Sequence, residues 1–314
     1  MSWRLCKNSI TKAAVLLAAA VVSVSSAAAG PYSGVQTVFA EEGAAPDGFG
    51  AFVFRDAVFD ASMAEGNDEA QVDMSAASLG YVGLHCETDA KIKFQVVKDD
   101  LTVTYSVENG RDQIFPLQSG DGHYVFKVMK NIEEKKYAEL YRCEADVVIG
   151  DEFDPFLRPN QYTEYTQDSE AVKLAAEIAG TSSGEEDYIA KIYDYICSNI
   201  TYDYVLAETV QSGYLPDPDR TLAEKKGICM DYASLAAAML RSQGIPTKII
   251  FGYVAPDDIY HAWNKFYTEE GGWMLVEFKV NGNDWNRIDL TFYANSADPS
   301  FIGDGSNYME AYQF

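Results

Sequence analysis

The sequence is poor in the residues on which nucleic-acid-binding, metal-binding and disulfide-rich proteins depend. Its 314 residues include 24 lysines and arginines against 48 aspartates and glutamates, a formal net charge of -24. Because neutralising phosphates needs a positive surface, this balance argues against nucleic-acid binding and is typical of a solvated exterior. With only 5 cysteines, 3 histidines and no C-x-x-C spacing, neither a disulfide scaffold nor a structural zinc site is expected.

Long apolar runs are also missing, except close to the N-terminus. Three basic residues precede the apolar run "AAVLLAAAVVSV" (13–24), and small residues follow it. This pattern predicts an export signal over residues 1–40, with cleavage after Ala29 or after Ala40. An uncleaved anchor is the alternative. The run is short for a membrane span and no later segment is apolar enough, so we expect a secreted or cell-surface protein without an integral membrane segment in its mature chain.

The chain after the signal divides by composition into a β-rich part and a mixed part. Residues 41–78, rich in Ala, Gly, Asp and Glu, predict a partly ordered lead-in. Residues 79–150 hold β-branched and aromatic runs separated by turn sequences, which predict a small β-sandwich-like domain. Cys86 and Cys143 fall in this domain, where they either pair or are simply buried. The predicted strands of this domain are 91–97, 101–107, 123–129 and 138–149.

Residues 151–167 contain two prolines and no periodicity, and predict a linker.

Residues 168–314 predict helices followed by a β-meander, hence an α+β core in which helices pack on an antiparallel sheet. Helices are predicted from about 169 to 179 and from 183 to 200. A third follows Cys229, because apolar residues then recur at i, i+3, i+4, i+7 and i+8 on one buried face, until Gly244. The predicted strands are 247–254, 260–268, 273–280 and 285–293.

Cys229 lies in the first turn of that third helix, two residues after Gly227. The unpaired amides and the positive end of the helix dipole favour a thiolate there, and the same amides can receive the oxyanion of a tetrahedral intermediate. Gly227 lets backbone or substrate approach closely. The position therefore suits a nucleophile, and the competing interpretation is a buried helix cysteine.

A nucleophilic thiol needs a base and a group that orients the base. His261 follows Cys229 by 32 residues on a predicted strand, and alternation puts His261 and Trp263 on one face. Asp289 follows His261 by 28 residues in another strand of the meander, so neighbouring strands are expected to bring its carboxylate to the imidazole. The order cysteine, histidine, acid follows papain-type logic. Trp263 is expected to pack, and it is also a candidate wall of the acyl pocket.

Three stretches resemble the motifs of the transglutaminase-like superfamily. They are "KKGICMDYASLAAAMLRSQGIPTKIIFGYV" (225–254), "YHAWNKFY" (260–267) and "WNRIDLTFY" (285–293). The resemblance covers roughly residues 168–294 and implies a papain-like, transglutaminase-like core. Family members commonly carry Asp-Pro-Thr in the third motif, where this chain has Asp289-Leu290-Thr291. A β domain ahead of such a core also resembles secreted proteins of Gram-positive bacteria.

The resemblance implies a chemistry. The Cys229 thiolate would attack a carboxamide or peptide amide and form a thioester, which an amine resolves to a crosslink and water resolves to deamidation or hydrolysis. His261 would act as general acid and base, and Asp289 would hold its tautomer. The implied substrate is a protein or a cell-wall peptide. Animal members need calcium, but no calcium loop is found in this sequence, so neither a metal nor another cofactor is expected.

Two other functions compete with the acyltransferase. A cysteine peptidase or amidase of another cell-wall hydrolase type would use the same nucleophile; some such enzymes need a second histidine, and none follows His261. A catalytically inactive extracellular or cell-wall binding protein would keep only the scaffold. The presence of Cys229, His261 and Asp289 at workable spacing argues against this last alternative. The acyl donor and acceptor are not encoded in these motifs.

Overall fold

The computed structural model describes residues 52–254, 259–269, 271–275, 277–280, 284–287 and 308–314. The predicted signal and Asp289 lie outside these ranges. The first half of the described chain is built of antiparallel strands. Their bounds are β1 Glu65–Gly66, β2 Ala70–Asp73, β3 Tyr81–Cys86, β4 Ile92–Lys98, β5 Leu101–Val107, β6 Asp112–Pro116, β7 Gly122–Glu133 and β8 Lys136–Val147.

These strands form two four-stranded sheets, ordered β1-β2-β3-β6 and β5-β4-β7-β8. Alternation along each strand sends one set of side chains between the sheets, as β4 shows with Ile92, Phe94 and Val96 buried. The inner faces meet where the Phe115 ring of β6 lies 4.7 Å from that of Phe94 and 4.8 Å from that of Tyr105. The predicted strand 101–107 is confirmed at both ends, while β1, β2, β3 and β6 were not predicted.

Cys86 and Cys143 are both free and lie on different sheets, on β3 and β8. Burial raises the pKa of each thiol to about 12. Both cysteines are therefore unpaired; Cys86 is buried, and Cys143 is half-buried.

The second half places helices against a further sheet. Its helices are α1 Glu170–Ala179, α2 Glu185–Asn199, α3 Tyr204–Thr209, α4 Pro218–Glu224 and α5 Cys229–Arg241. Its strands are β9 Thr201–Tyr202, β10 Lys226–Gly227, β11 Thr247–Val254, β12 Ile259–Thr268, β13 Gly272–Leu275, β14 Glu277–Val280, β15 Asp284–Arg287 and β16 Tyr308–Gln313. The main sheet has the order β13-β12-β11-β16 and is antiparallel throughout. The predicted α+β class, with helices packed on an antiparallel sheet, is confirmed. No helix within the described ranges is long and apolar enough to cross a membrane.

Helix α5 is buried on all sides, which the single apolar face in the sequence did not predict. Its Leu235 and Met239 pack with residues of α1 and α2, whereas Ala233 and Ala237 belong to the core of the β-sheets. The alanines on this helix are small enough to let the sheets approach it closely. A helix enclosed in this way loses its amphipathic pattern because it has no solvent face.

Residues 151–167, predicted as a linker, are packed between the two halves. The Gln161 side chain donates to the Ser106 carbonyl at 2.6 Å, and the Thr163 hydroxyl donates to the Ser234 carbonyl at 3.0 Å. The Tyr162 ring lies 5.2 Å from Phe251 and 4.5 Å from Phe314. The β-rich half and the helix-containing half therefore share one hydrophobic core.

The Lys248 side chain of β11 lies against two aromatic rings. Its ammonium lies 4.0 Å from the Trp273 ring centroid and 4.6 Å from that of Phe156. Burial, and secondarily the charge of Lys265, lower the pKa of Lys248 to about 8 from its ordinary 10.5. Between these two pH values the unfolded chain binds more protons than the folded one at this side chain, so the contribution of Lys248 to stability rises with pH.

We expect Lys248→Met to melt about 2 °C higher than the wild-type protein at pH 7, because the thioether keeps the ring contacts without the buried charge. The advantage should shrink as the pH approaches 10. Melting curves of both proteins at pH 7, 8.5 and 10 measure this, with Lys127→Met on β7 as the control. A variant that melts lower than wild type at pH 7 would show that the cation–ring attraction outweighs the burial of the charge.

Candidate functional site

Cys229 is the first residue of α5, as the sequence predicted for the start of this helix. The chain enters the helix through a short parallel pairing of β10 with β9, in which Gly227 lies opposite Tyr202. The Asp203 amide donates to the Gly227 carbonyl at 2.9 Å. Cys229 itself is half-buried against the large core. In the first turn of a helix its own amide and that of Met230 have no intrahelical acceptor, so both are available to an anion.

Asp231 fixes this helix start. Its carboxylate accepts from the Ile228 amide at 2.8 Å and from the Tyr214 hydroxyl at 2.7 Å, and the Arg220 guanidinium lies 3.9 Å away. Burial raises the pKa of Asp231 above its ordinary value, although these donors oppose the rise. Asp231 therefore stabilises the helix start by capping the amide of the residue that precedes Cys229.

Gly227 is buried, and its lack of a side chain is needed by Asp231. A Cβ atom at Gly227 would lie 2.5 Å from the Asp231 Cβ, which is closer than two carbon atoms can approach. The close neighbour of this glycine is the Asp231 side chain, and not the backbone predicted from the sequence. A contact between Gly227 and substrate stays a prediction.

His261 lies near the beginning of β12, opposite Gly252 of β11. Its ring is stacked on that of Trp263, with centroids 6.3 Å apart and planes 19° from parallel, so the prediction that both side chains share a strand face is confirmed. His261 is buried. Gly252 makes room for this pair, because a Cβ atom there would lie 2.6 Å from the Trp263 ring.

Trp263 packs in a small apolar cluster with Ile250 and Leu275. The Tyr308 ring of β16 meets it edge-on at 5.0 Å. Its expected packing role is confirmed, and a role as wall of an acyl pocket stays a prediction.

The first turns of α5 lie beside the beginning of β12. The Asn264 side chain of β12 donates to the Ala233 carbonyl of α5 at 3.0 Å, which anchors strand to helix. Cys229 and Tyr260 each lie four residues before this contact. Burial, then the Tyr253 and Tyr312 phenols, and then the Cys229 thiol raise the pKa of Tyr260. The structure thus places α5 against the strand that holds His261, and a contact between the Cys229 sulfur and the His261 ring stays a prediction.

Asp289 lies outside the described residues, so its predicted role is untested. A second carboxylate, that of Glu277, is not marked by any pattern in the sequence. Glu277 begins β14, two residues after Leu275, and Leu275 pairs with Lys265 of β12. Glu277 therefore comes soon after β13, the strand that pairs with β12, on which His261 lies. This proximity in the chain to a neighbouring strand becomes clear only from the order of the strands in the sheet. Within the part of the chain that the structure describes, no group of three or more His, Cys, Asp or Glu could hold a metal ion.

Part of the chain is similar in sequence to known proteins. The sequence profile of the transglutaminase-like superfamily matches residues 172–278, which include Cys229, His261 and Glu277 and end before Asp289. An uncharacterized protein of Mycobacterium leprae is 29% identical over 175 residues, 52% of this chain and 55% of its own length. A UPF0252 protein of Methanocaldococcus jannaschii is 36% identical over 62 residues, 18% of each chain. This chain therefore spans about half, or less, of the length of these relatives.

Two solved structures are similar in part. A putative cysteine protease from Cytophaga hutchinsonii gives a TM-score of 0.39 at 18% identity, covering 73% of this chain and 72% of its own. Red sea bream transglutaminase gives a TM-score of 0.31 at 12% identity, covering 68% of this chain and 53% of its own.

Proposed function

We propose that this protein is a thiol acyltransferase or amide hydrolase with Cys229 as its nucleophile, because residues 172–278 match the transglutaminase-like superfamily. One observation carries the proposal: Cys229 is the half-buried first residue of α5, where helix amides can receive an oxyanion, and α5 is hydrogen-bonded to the strand that holds His261.

The proposed reaction has two steps with a common oxyanion site. The Cys229 sulfur attacks the carbonyl carbon of a carboxamide or peptide amide, the C–N bond breaks, and His261 gives its proton to the departing ammonia or amine. In the second step an amine or water attacks the thioester and gives a proton to His261, and the C–S bond breaks to restore the thiolate. Amides of the first turn of α5 stabilise the negative oxygen in both steps.

The export signal predicted over residues 1–40 supports a site of action outside the cell. Proteins and cell-wall peptides are the carboxamide-bearing substrates present there. The proposal therefore extends to a secreted or cell-surface enzyme acting on one of these classes.

A single assay separates transfer from hydrolysis. The chain from residue 41 is incubated with dimethylcasein and a fluorescent primary amine, and dye incorporation and ammonia release are measured together. Equal amounts of both indicate transfer, whereas ammonia without dye indicates deamidation. Protein pretreated with iodoacetamide is the control and should show neither. If untreated protein gives neither dye incorporation, ammonia nor new amino termini from casein, the proposal fails.

The orienting acid is tested by a pair of isosteric substitutions. We propose that Asp289 orients His261, as the sequence predicts, and Glu277 is the alternative acid because it lies inside the matched segment. Asp289→Asn is then expected to lower kcat by about 10⁴-fold, the effect of holding the wrong histidine tautomer. Glu277→Gln should change it by less than about tenfold. The reverse order would assign the orienting role to Glu277.

A further inference from the structure

Four exposed apolar side chains lie together on the α5-facing side of the main sheet, and we name them the aromatic platform. Its members and their exposed fractions are Tyr253 (41%), Tyr260 (54%), Met309 (60%) and Tyr312 (44%). None of them carries a charge at neutral pH, in a protein with a net charge of -24. Apolar side chains that gather at one place on an acidic surface indicate a contact site.

The register of three strands builds the platform. Tyr253 of β11 pairs with Tyr260 of β12 on one side and with Met309 of β16 on the other. Directly paired residues share a face of the sheet, and the Tyr253 and Tyr260 rings meet at 5.4 Å. Tyr312 joins the same face because it pairs with Phe251, the neighbour of Tyr253 two residues earlier.

A rigid layer supports the platform from below. The Phe251 ring is stacked under Tyr260, with centroids 6.3 Å apart and planes 9° from parallel. Phe251 in turn meets Phe314 at 5.4 Å and Tyr162 at 5.2 Å, in the core shared by the two halves of the protein. The exposed rings are therefore held in place before any ligand arrives, which lowers the entropic cost of binding.

The platform adjoins the proposed nucleophile. The Asn264 side chain of β12 donates to the Ala233 carbonyl of α5, and Tyr260 and Cys229 each lie four residues before this contact. The Cys229 thiol also contributes to the raised pKa of Tyr260. A donor acylating Cys229 is therefore expected to extend toward Tyr260. The platform is thus part of the surface that meets the acyl donor, if Cys229 is acylated.

We propose that the aromatic platform binds the segment of a donor polypeptide next to its reactive carboxamide, and selects aromatic residues and proline there. This inference rests on the proposed function of Cys229. Three adjacent strands span about 10 Å, the length of about three extended residues. A surface of rings without charges favours apolar, rigid side chains, which stack on tyrosine at little entropic cost. An acidic donor segment gains nothing there and is repelled by the charge of the protein.

The test compares two alkylating peptides that differ only in the part that meets the platform. Chloroacetyl-Phe-Pro-Phe-amide and chloroacetyl-Gly-Gly-Gly-amide both lose chloride to the Cys229 sulfur, so labelling does not depend on turnover. We expect the aromatic peptide to label Cys229 about tenfold faster, as two ring contacts allow. In the variant Tyr253→Ser/Tyr260→Ser this ratio should fall to about two, measured by mass spectrometry of the intact chain.

Two controls keep the outcome interpretable. Tyr137→Ser, a half-buried tyrosine at the far end of β8, should keep the wild-type ratio. Tyr312→Ser alone, on an edge strand, should lower the ratio about threefold and serves if the double variant misfolds. Labelling by iodoacetamide without any preference between the peptides would overturn the platform and leave the proposed function standing. Failure of every reagent to label Cys229 would contradict both the role of the aromatic platform and the proposed function. A wild-type dimer that Tyr312→Ser converts to a monomer would assign the surface to self-association and also overturn the inference.

Discussion

A chain shortened to residues 168–314 is expected not to fold, although it contains the whole segment that matches the transglutaminase-like profile. Its sheet would lose the cover provided by Tyr105 and Tyr162, whose rings lie 5.6 Å and 4.5 Å from that of Phe314. Exposing the fully covered Phe251 and Phe314 costs about 1.5–3 kcal/mol each. Because a whole domain is stable by only about 5–15 kcal/mol, these and the neighbouring losses are enough to unfold it.

Solubility, near-ultraviolet circular dichroism and a thermal scan measure this outcome. The matched control is the chain of residues 41–314, the shorter of the two predicted mature proteins, which should melt in a single cooperative transition. A cooperative transition in the shortened chain, at a temperature within a few degrees of the control, would show that the β-rich half is an independent module. The expected result makes the β-rich half part of the same folding unit.

Arg241 shows why the packing of residues 151–167 against the second half was not predictable from sequence. It is fully buried, and its guanidinium donates to the carbonyls of Thr247, Arg158 and Phe314, each at 2.8 Å. Burial lowers the pKa of Arg241 to about 10. An arginine in the last turn of a helix ordinarily faces solvent, and nothing local in the sequence indicates that the distant residues Arg158 and Phe314 converge on this one.

The strands show the same difference between elements that are predictable from their own residues and elements that depend on residues far away in the chain. Strand β5 follows from the alternation in "LTVTYSV" (101–107), where Val103 and Tyr105 are buried and the threonines between and before them are exposed. Strand β16, Tyr308–Gln313, was not predicted, since it is mostly exposed and is defined by its pairing with β11. Its place in the sheet depends on residues more than fifty positions earlier in the chain.

At the candidate site, the local part of the prediction is the part that the structure confirms. The start of α5 at Cys229 follows from its apolar repeat, and the common face of His261 and Trp263 follows from strand alternation. The order β13-β12-β11-β16 is a property of the whole sheet, and it draws attention to Glu277, which no local pattern marks. The aromatic platform is invisible in the sequence for the same reason, because its tyrosines are separated by many residues.

Cys229→Ala is expected to abolish amine incorporation and ammonia release completely, since no thioester forms without the sulfur. The fold should survive, because Cys229 is only half-buried and Asp231 still caps the helix. Cys197→Ala is the matched control, another half-buried cysteine in a helix, and should keep full activity. If the alanine variant loses its fold, Cys229→Ser replaces it, because serine keeps the size of the side chain. Cys229→Ser should be folded and inactive.

The same variants locate the reactive thiol independently of any substrate. Burial raises the pKa values of Cys86 and Cys143 to about 12, so at pH 7.5 almost none of either thiol is ionised and able to attack iodoacetamide. We expect Cys229 to be carboxamidomethylated faster than the half-buried Cys197, with loss of activity in step with labelling at Cys229. Peptide mass spectrometry separates the two sites, and the Cys229→Ala variant should show only the slow labelling of Cys197 over the same time. Full activity in Cys229→Ala, or a fully alkylated Cys229 in active protein, would move the nucleophile elsewhere in the chain.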